Sequence, residues 1–232
     1  EAYFERKPGK ADIAAIRPLV PSAARAKPVI EEIPDEDWVT LSQQGIEPVH
    51  AGRFYVHTST NRGTVPPGAK TFQIEASRAF GTGTHETTAG CLRTLDAMRA
   101  RGERVHNLVD IGTGTGLLAF AAMHLWPRAY ATASDIDPVS VEVTAENAAI
   151  NGVPLGVMQG QLALAAAAGL EHPLLTGRAP YDLVIANVLA GPLIELAPSI
   201  SAVLAEGGTL ILAGLLETQA DRQRTRPNSR PV

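Results

Sequence analysis

The chain has 232 residues, 45% of them hydrophobic and 19% charged, with 20 basic against 24 acidic side chains and a net charge of −4. That balance excludes a disordered chain and gives no overall basic footprint for nucleic acid. The one cysteine, Cys91, excludes an internal disulfide and a thiolate metal cluster, so the expected compartment is the cytoplasm and no metal is expected.

From the N-terminus the pattern predicts a strand at residues 2–4, a helix at 11–20, a strand near 29–33, and a hairpin at 45–58 with its turn at Ala51-Gly52. Residues 1–60 hold too few apolar side chains for a core of their own and read as a partial α+β segment plus linker. Thr60-Asn61-Arg62-Gly63 and Pro66-Pro67-Gly68 are turn chemistry and mark a boundary, after which 61–220 read as one α/β domain. A helix at 86–99 precedes a strand at 105–111; a helix at 117–125 precedes a strand at 129–134. Pro138 opens the next helix and Asn151-Gly152 closes it. There follow a strand at 155–158, an alanine-rich helix within 162–170, a strand at 181–186, a helix within 189–205 and a strand at 208–213. Five strands alternating with helices predict a doubly wound, mostly parallel sheet. The apolar tract at 183–205 is broken by Asn187, Pro192, Glu195 and Pro198, so no membrane span is expected. Residues 221–232 carry four arginines and one aspartate without apolar periodicity, and read as a disordered basic tail. Both ends of the chain read as unfinished.

Chemistry concentrates at three places. Asp110-Ile111-Gly112-Thr113-Gly114-Thr115-Gly116 joins an apolar strand to an apolar helix, which lets backbone approach a ligand closely at a helix N-terminus. A dinucleotide fingerprint needs glycines at relative positions one, three and six; counted from Gly112, the sixth position is Leu117, so hydride chemistry is disfavoured. Asp135 ends the next strand, 23 residues after Gly112, where a carboxylate can accept both hydroxyls of an adenosine ribose. The pattern reads as a site for S-adenosylmethionine, and its order resembles the first motif and following acid of the seven-stranded methyltransferases.

The second place is Ala79-Phe80-Gly81-Thr82-Gly83-Thr84-His85-Glu86-Thr87-Thr88, a glycine and threonine loop entering a helix; alone it is as well explained by capping. The third is Asn187, which the strand at 181–186 delivers to the carboxyl end of the sheet, where open α/β folds bind ligands. Asn187 is the candidate catalytic residue.

Together these segments resemble the ribosomal protein L11 methyltransferases. Phe80-Gly81-Thr82-Gly83-Thr84-His85-x-Thr87-Thr88, Asp110-x-Gly112-x-Gly114-x-Gly116, Asp135-Ile136-Asp137-Pro138 and Ala186-Asn187-x-Leu189-Ala190-x-Pro192-Leu193 stand in the family's order, and similarity runs from about Trp38 to Gln219. The resemblance implies a Rossmann-like methyltransferase fold of class I, with S-adenosylmethionine as cofactor. It implies cofactor contacts at Thr88, Gly112, Asp135 and Asn187, with Phe80, Thr87 and Gly114 nearby. Amino groups of ribosomal protein L11, on a lysine side chain or the N-terminus, are the implied substrate. A related protein-lysine or small-molecule amine methyltransferase, or a catalytically dead adenosyl-binding module, stands as the alternative. The family carries a complete ferredoxin-like docking domain, of which residues 1 to about 33 resemble the second half, and it continues past Leu216 into a helix and a terminal strand pair. The expected consequence is an apolar sheet edge at 209–213.

Overall fold

The computed structural model describes residues 8–16, 27, 29–30, 47–75 and 86–214, and the chain divides into two units, Glu1–Trp38 and Val39–Val232. In the first unit, α1 (Lys10–Ile16) begins where the Gly9 amide donates to the Asp12 carboxylate at 2.7 Å, which satisfies one amide that the helix cannot. Val29 and Ile30 lie outside any strand. The expected strand at 2–4, the end of the expected helix and the rest of the expected strand at 29–33 lie outside the described residues.

In the second unit, β1 (Val49–Ala51) and β2 (Phe54–His57) form the expected hairpin, and β3 (Lys70–Gln73) pairs parallel to β2. Phe54, Val56, Phe72 and Ile74 pack in one core with Leu92, Leu95 and Met98 of α2 (Glu86–Ala100) and with Phe120 of α3 (Leu117–Leu125). The hairpin turn is tied to α2 by Arg53, whose Nε lies 2.5 Å from Asp96 Oδ1. The hairpin, which the sequence pattern groups with the N-terminal segment, therefore belongs to the second unit. A turn signal marks a loop, but core membership is decided by which apolar faces meet.

The main sheet comprises β4 (Asn107–Ile111), β5 (Tyr130–Asp135), β6 (Leu162–Ala166), β7 (Tyr181–Asn187) and β8 (Leu204–Ala213). All pair in parallel, in the order β6-β5-β4-β7-β8. Chain order reverses at β4, so the crevice at its carboxyl end, flanked by β5 and β7, is the topological switch point of a Rossmann-like sheet. The helix α4 (Pro138–Ile150) starts as expected, with Pro138 in its first turn and Asp137 accepting the Val139 amide at 2.9 Å. The one-turn helix α5 (Pro173–Thr176) and α6 (Ala190–Val203) complete the covering layers.

Two expectations are corrected here. Residues 162–166 form β6 and no helix, while Leu155 makes only an isolated bridge to Leu162 and the expected strand at 155–158 does not form. Alanine's helix preference is a fraction of a kcal/mol per residue, whereas β6 gains a ladder against Ala131–Asp135 and buries Leu162, Ala163 and Ala165. Val157 and Met158 stay mostly exposed, at 59% and 64%.

Because Phe72 is 1% exposed within the shared core, Phe72→Ala should destabilise the second unit by about 3–5 kcal/mol in a single transition. Urea unfolding followed by circular dichroism checks this. A separate early transition for the small sheet would contradict the shared core.

Candidate functional site

The turn between β4 and α3 holds the first group of candidate residues. Gly112 and Gly116 have φ of 69° and 86°, in the left-handed region that side chains disfavour. Space excludes a side chain as well. A Cβ on Gly112 would collide with Val188 Cγ1, and one on Gly116 would lie 2.5 Å from Phe120 Cζ and 2.8 Å from Thr144 Cγ2. Gly112 is therefore the position that lets the segment following β7 lie directly on the turn.

Asp135, at the end of β5, reaches across to this turn: the Gly114 amide donates to its Oδ2 at 2.9 Å, and the Asp137 amide donates to its Oδ1 at 3.1 Å. On the other side of β4, Asn187 at the end of β7 donates through Nδ2 to Thr88 Oγ1 at 3.0 Å, joining residues 99 apart in sequence. Thr88 is buried in the first turn of α2, and the preceding Thr87 is exposed and, among the described residues, makes no hydrogen bond to the other candidates. The candidate residues thus form two bonded pairs, Gly114 with Asp135 and Thr88 with Asn187. Gly112 lies between them under Val188. Phe80 and His85 lie outside the described residues.

Three features of the site go beyond the sequence reading. Asp110, 1% exposed beneath the turn, accepts a hydrogen bond from Thr113 Oγ1 at 2.8 Å. Burial pushes its carboxyl up to about 7; hydrogen bonds from Thr113 and the Ala119 amide oppose the rise, and the nearby Asp135 charge adds to it. Burial, with Asp110 adding to it, likewise pushes the Cys91 thiol up to about 12, so that buried side chain is a packing residue and no nucleophile. Second, Ile136, next to Asp135, is 74% exposed and offers an apolar surface at the rim. Third, α4 supports the turn from behind: Thr144 Oγ1 donates to the Gly114 carbonyl at 3.0 Å, and Asn147 Nδ2 donates to the Thr115 carbonyl at 3.1 Å. An acid ahead of a glycine turn is visible in sequence, but its burial is not. The Asn147 bond depends on tertiary placement alone.

The Asp110 carboxyl has a consequence for stability. Its native value near 7 lies above the ordinary 3.8, so the native state binds the proton more tightly than the unfolded state does. Stability should therefore fall as pH rises from about 4 to about 7, by up to roughly 4 kcal/mol at the limit of that shift. Asp110→Asn, neutral at every pH and still an acceptor for Thr113, should remove this contribution. Urea midpoints at pH 5 and pH 7.5 measure it, and parallel pH dependence in both proteins would contradict it.

Known proteins supply an independent comparison. The family model described as ribosomal protein L11 methyltransferase (PrmA) matches residues 1–228. A ribosomal protein L11 methyltransferase of Brucella suis (strain ATCC 23445 / NCTC 10510) is 48% identical over 191 residues, 82% of this chain and 65% of the relative. One of Rhizobium etli is 44% identical over 213 residues, 90% of this chain and 70% of the relative. The chain thus spans about 65% of the length of the Brucella relative. A crystal structure of the ribosomal protein L11 methylase from Lactobacillus delbrueckii subsp. bulgaricus superposes with a TM-score of 0.63 at 26% identity, covering 77% of this chain and 86% of the other. The order of the parallel sheet, the glycine turn at its switch point and a family match across nearly the whole sequence lead to one assignment: the chain belongs to the ribosomal protein L11 methyltransferase family.

Proposed function

We propose that the chain transfers methyl groups from S-adenosylmethionine to amino groups of ribosomal protein L11. The observation that carries this reading is the Thr88–Asn187 hydrogen bond, on the rim of the sheet that also bears the Gly114–Asp135 pair. The donor set suits an adenosyl group. A carboxylate offers about four acceptor sites, and two backbone amides use two of those on Asp135, which leaves acceptors for a vicinal diol. Ile136 adds an apolar face beside it. In this reading Gly112, Gly114 and Asp135 hold the ribose side of the cofactor, and Thr88 and Asn187 its other end, with Phe80 and Thr87 adjacent. When bound, the cofactor supplies an electrophilic methyl group on a sulfonium.

The protein's task is then to present a neutral, aligned amine. A lysine with reference pKa near 10.4 is neutral in only about one molecule in a thousand at pH 7.4, which is roughly 4 kcal/mol uphill, whereas an N-terminal amine near 8 is far easier to use. Entry into a water-poor crevice lowers that cost by disfavouring the charged form. Asn187 supplies direction: its Nδ2 is committed to Thr88, so Oδ1 is the atom free to accept an N–H and turn the nitrogen lone pair toward the methyl group. This is positioning without proton abstraction by Asn187.

Two outcomes test the reading. Asp135→Ala should weaken binding of S-adenosylmethionine by roughly 1–3 kcal/mol in calorimetry, through loss of charge-assisted bonds. Unchanged affinity removes Asp135 from the site. Asn187→Ala should lower transfer of labelled methyl to ribosomal protein L11 by about 100-fold, with most of the loss in kcat. Full transfer by that variant would overturn the role of Asn187, and absence of transfer to L11 by the unaltered chain would turn the search to other amine substrates.

A further inference from the structure

Asn147 in the last turn of α4 and Asn151, which caps that helix four residues later, make matching contacts with the end of β3 and the chain that leaves it. Asn151 Oδ1 accepts the Gln73 amide at 3.0 Å, and its Nδ2 donates to the Gln73 carbonyl at 2.8 Å. Asn147 Oδ1 accepts the Glu75 amide at 3.0 Å, and its Nδ2 donates to the Glu75 carbonyl at 3.3 Å. Each side-chain amide pairs with one residue's N–H and C=O as a neighbouring strand would. The difference lies in the remaining amide hydrogen. Asn151 turns it back to the Asn147 carbonyl of its own helix at 2.8 Å, whereas Asn147 gives it to the Thr115 carbonyl of the glycine turn at 3.1 Å.

We propose that Asn147 is a positioning residue that couples the glycine turn to the backbone at Glu75. The inference rests on the proposed cofactor reading of that turn. Asn147 is fully buried and uses both amide hydrogens and its carbonyl, so it cannot shift toward one partner without losing the other. The turn offers little slack. Its Gly114 carbonyl is held by Thr144 and its Gly114 amide by Asp135, so a ligand that fixes the Asp135 carboxylate fixes an anchor of the turn from which Asn147 hangs. Glu75 stands eleven residues before Glu86, where α2 begins and brings Thr88 to Asn187. One buried amide thereby connects the ribose side of the proposed site with the chain segment that leads to its other side.

Asn151 provides an internal control, because its two bonds to Gln73 match those of Asn147 to Glu75 but it has no bond to the turn. The experiment compares the unaltered chain with Asn147→Ala and Asn151→Ala. Binding of S-adenosylhomocysteine is measured by calorimetry, stability by urea unfolding, and amide hydrogen exchange at Gln73 and Glu75 with and without that ligand. The expected result is a loss of affinity of about tenfold for Asn147→Ala and less than about twofold for Asn151→Ala, at comparable losses of stability. Ligand should slow exchange at Glu75 in the unaltered chain and in Asn151→Ala, but not in Asn147→Ala. Equal affinity in all three proteins, or slowing at Glu75 that survives Asn147→Ala, overturns the coupling and leaves Asn147 a structural residue. If Asn147→Ala does not fold, the unaltered chain still decides: ligand that binds without slowing Glu75 overturns the proposal, and slowing at Glu75 supports it. Failure of the unaltered chain to bind S-adenosylhomocysteine would instead refute the reading of the site, and the coupling with it.

Discussion

The turn between β4 and α3 satisfies only part of its own backbone, through the Gly116 amide on the Thr113 carbonyl, and the rest of the site follows from how the remaining need is met. Three glycines at positive φ reverse the chain too sharply for helix or sheet bonding. The Gly112 and Thr113 amides therefore go to the Ser134 carbonyl at the end of β5, the Gly114 amide to Asp135, and the Gly114 and Thr115 carbonyls to Thr144 and Asn147 on α4. Each of these four partners comes from the β5–α4 unit that follows the turn. Meeting the backbone's demand thus fixes Asp135, the second half of α4 and the carboxyl end of β4 in one arrangement.

The other side of the crevice is held by packing. Val188 lies against Gly112, where any side chain would collide with it, and a Cβ on Gly214 would strike the Val188 carbonyl. Glycines on two strand ends thereby leave a slot for the segment after β7, and Asn187 enters the crevice at the mouth of that slot. Its bond to Thr88 then reaches the start of α2. Polar bonding sets one wall and close packing the other, so substitutions on the two walls act by different physics.

Much of this was legible in the sequence where the signal is local. Glycine spacing identifies the turn, Pro138 and Asp137 the start of α4, and the acid ending β5 the facing carboxylate, because each depends on backbone geometry within a few residues. The alanine-rich segment at 162–166 misled, since its neighbours and not its propensity make it a strand. Thr88 and Asn187 could each be singled out, but a bond across 99 residues has no sequence signature. Asn147 was invisible for a related reason. In sequence it is one polar residue within a helix, and only the fold reveals that it is buried.

The asparagine pair at the end of α4 also bears on how the protein keeps to itself. β3 lies at the edge of the small sheet, with the amides of Lys70 and Ile74 directed to β2 and those of Gln73 and Glu75 directed away from it. An edge of this kind is a template onto which a foreign strand can add. The side-chain amides of Asn151 and Asn147 already occupy the outward-facing Gln73 and Glu75, in the manner of a strand but without a further edge beyond them. The sheet edge is closed to recruitment at these two residues, and the closing groups come from another element and not from the strand itself.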